Sequence, residues 1–210
     1  MTMRSVVWAL ALSLCTATAG CGVTADLSQR SVRPPTLMVA TPIPRTLYIV
    51  TAPGNVEDAF PVRGSRHSVI QFRSFVGEAL RRTLQPYFAS VEIVSSPPAA
   101  PPGTAVVADV RVDGVEARDL PVGGAVYTSL HLQWAFAIRL SEASEYAFTF
   151  AGSGVSDHAY RSLGEGFEQM MLSAINGLME GWTENDVFNL LRGAITSGSG
   201  TSGAETGPVQ

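Results

Sequence analysis

Between Ser129 and Leu140 the chain alternates without a break. Leu130, Leu132, Trp134, Phe136, Ile138 and Leu140 are large and apolar, while Ser129, His131, Gln133, Ala135, Ala137 and Arg139 are small or polar. Successive strand side chains point to opposite faces, so this stretch predicts a strand with one core face and one wet face, the habit of an antiparallel sheet. A strand needs neighbours to satisfy its backbone. One precedes it across a Gly123-Gly124 turn, where Val106, Ala108, Val110 and Val112 alternate with Val107, Asp109, Arg111 and Asp113; another follows the Ser141–Glu145 turn as Tyr146, Phe148 and Phe150. Together they predict a three-strand meander. Two further strands are expected at Thr46–Thr51 and Ser90–Ser95, the second stopping at the cluster Pro97, Pro98, Pro101 and Pro102.

Helical spacing appears twice. From Ser74, the residues Phe75, Val76, Ala79, Leu80 and Leu84 recur on one face before Pro86, with Arg81 and Arg82 in the last turns, where the backbone dipole favours cations. The stretch His67–Phe72 reads either as a short strand or as the lead-in to that helix. Later, Ser162 and Glu165 fit a capping box, and Leu163, Phe167, Met170, Met171, Ala174, Leu178 and Trp182 form a continuous stripe. Thr183 with Asp186 suggests a second cap, opening a short helix with Val187, Leu190 and Leu191. Helices that bracket a meander pack on its apolar face. The expected fold is α+β, a two-layer sandwich of a mainly antiparallel sheet with helices on one face.

The first twenty residues belong to a different kind of segment. Arg4 supplies a short positive region, Val6–Leu14 is an apolar run too short to span a bilayer of about 30 Å, and Thr18, Ala19 and Gly20 are small. Cys21 follows. The run ending Ala19-Gly20-Cys21 resembles the bacterial lipobox, and that resemblance implies a diacylglyceryl group on the Cys21 sulfur and a mature chain beginning there. Gly22 stands where an Asp would imply inner-membrane retention, so the resemblance points to the outer membrane. Cysteine arithmetic agrees: Cys15 leaves with the leader, and Cys21 alone remains in an exported chain. An ordinary cleaved signal with a stray thiol and an uncleaved anchor are the alternatives. Two or three acyl chains hold a protein on a membrane where one is marginal.

Four segments are therefore expected: a signal peptide over 1–20, a lipidated N-terminus and flexible tether over 21–44, an α+β periplasmic domain over 45–193, and a disordered Gly/Ser-rich tail over 194–210. The tether carries Pro34, Pro35, Pro42 and Pro44 and would average about 25 to 30 Å end to end, letting the domain hover above the bilayer. Thr36–Ala40 could still pair as an edge strand.

All fourteen basic residues of the 210 are Arg, against eighteen acidic ones. Loss of Arg4 with the leader leaves thirteen against eighteen, a net charge of −5 on the mature chain. That balance argues against a nucleic-acid partner, which requires a clustered positive excess, and against general attraction to anionic lipid.

Catalytic, cofactor and metal sites find little support. His67, His131 and His158 have no His or Cys at ligand spacing. The acidic series Asp109, Asp113, Glu116 and Asp119 is interleaved with Arg111 and reads as solvated salt bridging. Glu57-Asp58 reads as a wet loop. Ser153, Asp157 and His158 have the side-chain types of a hydrolase triad without the Gly-x-Ser-x-Gly elbow. Gly164-Glu165-Gly166 lacks the third glycine and preceding strand of a phosphate-binding turn. The cluster Met170, Met171, Leu172, Leu178 and Met179 reads as core packing, with a soft groove for lipid or a partner helix as the alternative.

The order of Cys21, a Pro-marked tether, the helix Phe72–Leu84, the long meander and the closing helices over Ala174–Arg192 resembles the YajG-type outer-membrane lipoproteins across residues 70–192. The same outline is similar to the lipopolysaccharide-assembly lipoprotein LptE and to the auxiliary lipoproteins of lipid-transport ABC systems. These resemblances imply a periplasm-facing, non-enzymatic accessory domain, anchored in the membrane through Cys21, with an envelope protein, glycan or lipid as partner. Its binding surface is expected on the sheet face or in the loops 52–66 and 117–126. A lipid or lipopolysaccharide transport accessory is the alternative, and an envelope hydrolase the second alternative.

Overall fold

The computed structural model describes residues 22–34, 41–99, 104–122, 125–141, 145–157 and 161–197. Its main sheet has the order β5-β2-β6-β7-β8. In it β2 (Ile43–Val50) runs parallel to both its neighbours, the edge strand β5 (Phe88–Val94) and the central strand β6 (Ala105–Val122), while β7 (Ala125–Leu140) and β8 (Phe148–Val155) add in antiparallel fashion. The sheet is mixed because β2 reaches β5 through a crossover helix, α1 (Phe72–Leu84), and a crossover returns the chain in the same direction. With α2 (Leu163–Glu184) and α3 (Val187–Ser197), this makes an α+β fold whose helices pack on the sheet.

The alternation in β7 sets the core. Leu130, Leu132, Trp134, Phe136 and Ile138 are all buried, facing the predicted stripe of α2, in which Phe167, Met170, Met171, Ala174, Leu178 and Trp182 have no exposure. The methionines are therefore core. Trp182 meets Phe136, Phe148 and Phe188 edge-on, with ring centroids 5.9, 6.5 and 5.0 Å apart, and the Tyr87 ring stacks on Phe188 at 4.3 Å. Close approach of α2 to β8 needs Gly154, because a Cβ there would overlap the Met170 carbonyl oxygen.

The start of α2 follows the capping expectation. Ser162 Oγ accepts from the Glu165 amide at 3.2 Å, and the Glu165 carboxylate accepts from the Arg161 amide at 2.7 Å. At the next junction only half of the expectation holds: Thr183 donates back to the Met179 carbonyl, while Asp186 opens α3 by accepting from the amides of Asn189 and Leu190.

Several boundaries differ from the sequence reading or refine it. The segment 22–34 is docked, not free: β1 (Thr24–Asp26) pairs in parallel with β4 (Ser68–Ile70), which pairs with β3 (Phe60–Pro61), and Leu27 and Val32 are buried. Two isolated apolar residues in polar sequence leave no periodicity to detect. Next, β2 begins at Ile43, inside the expected tether. The stretch before α1 is both of its alternatives in turn, a strand over Ser68–Ile70 and then a helix from Phe72, whose amide is capped by the Asp58 carbonyl. Finally, 117–126 is not a loop, since β6 and β7 stay paired to Val122↔Ala125, and α3 carries the fold past residue 193 to Ser197. Residues 1–21, with the expected signal peptide and Cys21, the edge strand considered over Thr36–Ala40, and 198–210 of the expected tail lie outside the described residues.

Candidate binding cleft

Strand β2 stops at Val50, but β6 runs on to Val122. Beyond Asp109, one edge of β6 therefore needs new partners, and the loop 52–66 supplies them. The Val112 amide donates to the Asn55 carbonyl at 2.8 Å, the Arg63 amide donates to the Val115 carbonyl at 3.2 Å, and the Ala117 amide donates to the Arg63 carbonyl at 2.7 Å. Between these pairings the ladder slips: Val112 faces Trp134, yet Gly114 faces Gln133. Asp113 is the extra residue of a β-bulge, which re-aims the strand.

A cleft of about 300 Å³ opens at the bulge, walled by Asn55, Glu57, Phe60, Pro61, Arg63 and Asp113 and floored by Val112, Gly114 and Val115. A second hollow of about 190 Å³ adjoins it, lined by Glu116, Arg118, His131 and Gln133. The two share Arg63, Asp113, Gly114 and Val115. The Arg63 guanidinium lies over Gly114, where a Cβ would sit 3.4 Å from Cζ, and no carboxylate among the described residues pairs with it. The turn that holds Arg63 is pinned by Gly64, whose φ of +76° suits glycine and whose missing Cβ makes room for the Ala117 carbonyl. The cleft thus offers the Arg63 guanidinium, unpaired among the described residues, and the carboxylates of Glu57 and Asp113 above an apolar floor.

The residues singled out in the sequence are dispersed. Asp113 pairs with Arg111 at 2.9 Å and Glu116 with Arg118 at 3.0 Å, while Asp119 accepts from Thr128 Oγ1 at 2.7 Å. Asp109 sits among Arg139, 3.7 Å away, and the Tyr146 hydroxyl, which donates to it at 3.2 Å. Burial, then the Asp109 charge, holds the Tyr146 phenol above its ordinary range. His131 Nε2 lies 2.8 Å from Ser129 Oγ. His67 is half-buried with Nδ1 unpartnered. Ser153 and Asp157 are exposed and His158 lies outside the described residues. Gly164 packs on the Arg30 side chain. A further open hollow of about 460 Å³ lies between the end of β8 and α2, lined by Val155, Gln169, Leu172, Asn176 and Glu180 among others; Leu172 is the one member of the methionine cluster on it. Cys21 lies outside the described residues, while its neighbour Gly22 packs so closely on the turn that a Cβ there would overlap the Arg66 carbonyl oxygen.

Sequence reasoning singled out the loop 52–66 but missed Arg63 and the bulge. A signal existed: the charged residues Asp109, Arg111 and Asp113 stand at odd positions, Glu116 and Arg118 at even ones, and Gly114 stands where the parity changes.

No protein-family model and no curated protein matches the chain. Among solved structures it is similar to the crystal structure of protein XCC0632 from Xanthomonas campestris, described by the family model DUF330. Identity is 15%, the match covers 85% of this chain and 100% of that one, and the TM-score is 0.48.

Proposed function

We propose that the protein is a lipid-anchored, non-catalytic lipoprotein of the bacterial cell envelope, acylated on Cys21, seated in the outer membrane facing the periplasm, and acting as a binding or accessory module. The observation that carries the reading is the leader ending Ala19-Gly20-Cys21, which leaves one cysteine in the mature chain. No helix among the described residues is long and apolar enough to cross a membrane. On this reading, attachment falls to the acyl chains.

Binding is assigned to the cleft at the β6 bulge. Convergent polar groups over an apolar floor are what small-ligand and peptide sites use to fix orientation. The combination of a free guanidinium with Phe60, Pro61 and Val112 suits an amphiphile, and that favours the narrower reading of a lipid or lipopolysaccharide transport accessory. Replacing Cys21 by Ser is expected to abolish palmitate labelling and to release or trap the precursor; unchanged labelling refutes the anchor. Pull-down of the lipidated protein from detergent-solubilised membranes tests the narrower reading, which expects co-purification of a β-barrel or an ABC transporter. Labelling of a serine by a hydrolase inhibitor would overturn the non-catalytic assignment.

A further inference from the structure

Gly22, the described residue next to Cys21, and the far end of the β6–β7 hairpin lie at the same end of the molecule. Strand β3 leads into Arg63, which runs parallel to β6 beside Glu116, so the turn 63–67 points in the direction in which β6 continues. The chain then reverses, since β4 is antiparallel to β3, and β1 runs parallel to β4 with Thr24 opposite Ser68. The residues preceding Thr24 therefore emerge at the turn. They are held there: Val23 accepts from the Ser68 amide at 3.1 Å, Thr24 Oγ1 meets Ser68 Oγ at 2.8 Å, and Gly22 is wedged on Arg66. Cys21 is one peptide farther on, about 3.8 Å from Cα to Cα.

From Ala117, beside this turn, β6 goes on to Val122 and β7 returns from Ala125. Five residues at about 3.3 Å each carry the hairpin roughly 17 Å beyond the turn. Its last charged residues are Arg118 and Asp119; from Leu120 through Leu130 the sequence holds no charge, and its end reads Leu120, Pro121, Val122, then Ala125, Val126, Tyr127 around the two glycines. The headgroup layer on each side of the hydrocarbon is only about 5 to 8 Å deep.

Resting on the lipid-anchor reading, we infer that the hairpin end Leu120–Val122 and Ala125–Tyr127 is a second membrane contact, penetrating the same phospholipid leaflet that holds the acylated Cys21. The exposed Arg66, which pairs with no carboxylate among the described residues, then stands at the level of the phosphates, and Val23, 54% exposed, is two residues along the chain from Cys21. A covalent anchor on Cys21, the residue bonded to the docked Gly22, fixes this orientation, and a hairpin end free of charge can leave water at little electrostatic cost.

The test uses the full mature chain reconstituted in vesicles of phosphatidylethanolamine and phosphatidylglycerol. Acylation consumes the Cys21 thiol, so Val122→Cys or Glu145→Cys gives a single site for an environment-sensitive fluorophore; Glu145 is exposed and lies beyond the opposite end of the β6–β7 ladder. Mass spectrometry of the N-terminal peptide is run on the same material. With acylated protein, the expected result is a blue-shifted Val122→Cys label that loses most of its emission to spin-labelled lipids, and a Glu145→Cys label that loses none. Acylated protein with the Val122→Cys label in water overturns the hairpin contact and leaves the anchor standing. A label shielded without lipid quenching, in proportion to protein concentration, assigns the hairpin to a second copy and also overturns it. An unmodified Cys21 overturns both readings.

Discussion

Glu78 shows how a single side chain on α1 couples folding to pH. Its carboxylate accepts from Arg81 Nε at 2.7 Å and Arg82 Nε at 2.6 Å, and the Arg81 hydrogen bond, partly opposed by burial, lowers its pKa from 4.5 to about 2. A carboxylate with a depressed folded pKa contributes stability above its unfolded value, and that contribution is lost as pH falls through the folded one. The group is about a third exposed, so screening holds the contribution to about 1 kcal/mol. Glu78→Gln is expected to lower stability by that amount at pH 7 in urea titrations, with the gap to wild type shrinking between pH 4.5 and 2. Gly154 tests packing instead. Gly154→Val would force α2 off β8 and is expected to cost about 3 kcal/mol, at the upper end for overpacking; an unchanged urea midpoint would contradict the close approach.

The elements that could be read in advance are those whose period repeats. In β7 and α2 the same apolar residues that form the pattern are buried, so pattern and packing carry one message. The strands β1, β3 and β4 have three, two and three residues, less than two full periods of alternation, and exist because they pair with one another. Their cue is tertiary. The cleft was half legible: loop 52–66 stood out by its composition, but its pairing with the unpartnered stretch of β6 depends on where β2 ends, which no local sequence states. The N-terminal segment gives the sharpest contrast, because polar composition suggests a tether while Leu27 sits in the core at 1% exposure. Leu27→Ala is expected to destabilise the whole domain by about 2 to 4 kcal/mol, measured by urea unfolding of the mature chain; a free tether would leave the midpoint unchanged.

At the scale of the molecule, one continuous core runs from Ala25 to Leu191, joining the small sheet, α1, the main sheet, α2 and α3. Its aromatic contacts form a path: Phe60 meets Phe72 at 5.1 Å and Phe72 meets Phe167 at 5.9 Å, linking the small sheet to α2, whose far end holds Trp182. A core without a seam unfolds as a unit. Trp8 lies in the proposed leader, so on that reading the mature chain reports through Trp134 and Trp182, both buried. Tryptophan fluorescence and far-ultraviolet circular dichroism of the Cys21→Ser chain are therefore expected to share one urea midpoint. Deleting residues 22–33 is expected to lower both together, although neither tryptophan lies in the deleted segment. Two separated midpoints, or a deletion that shifts neither probe, would mean that the segment 22–33 is not part of the cooperative unit, and that on the proposed lipid-anchor reading the domain would hang from the membrane on a loose strand of chain.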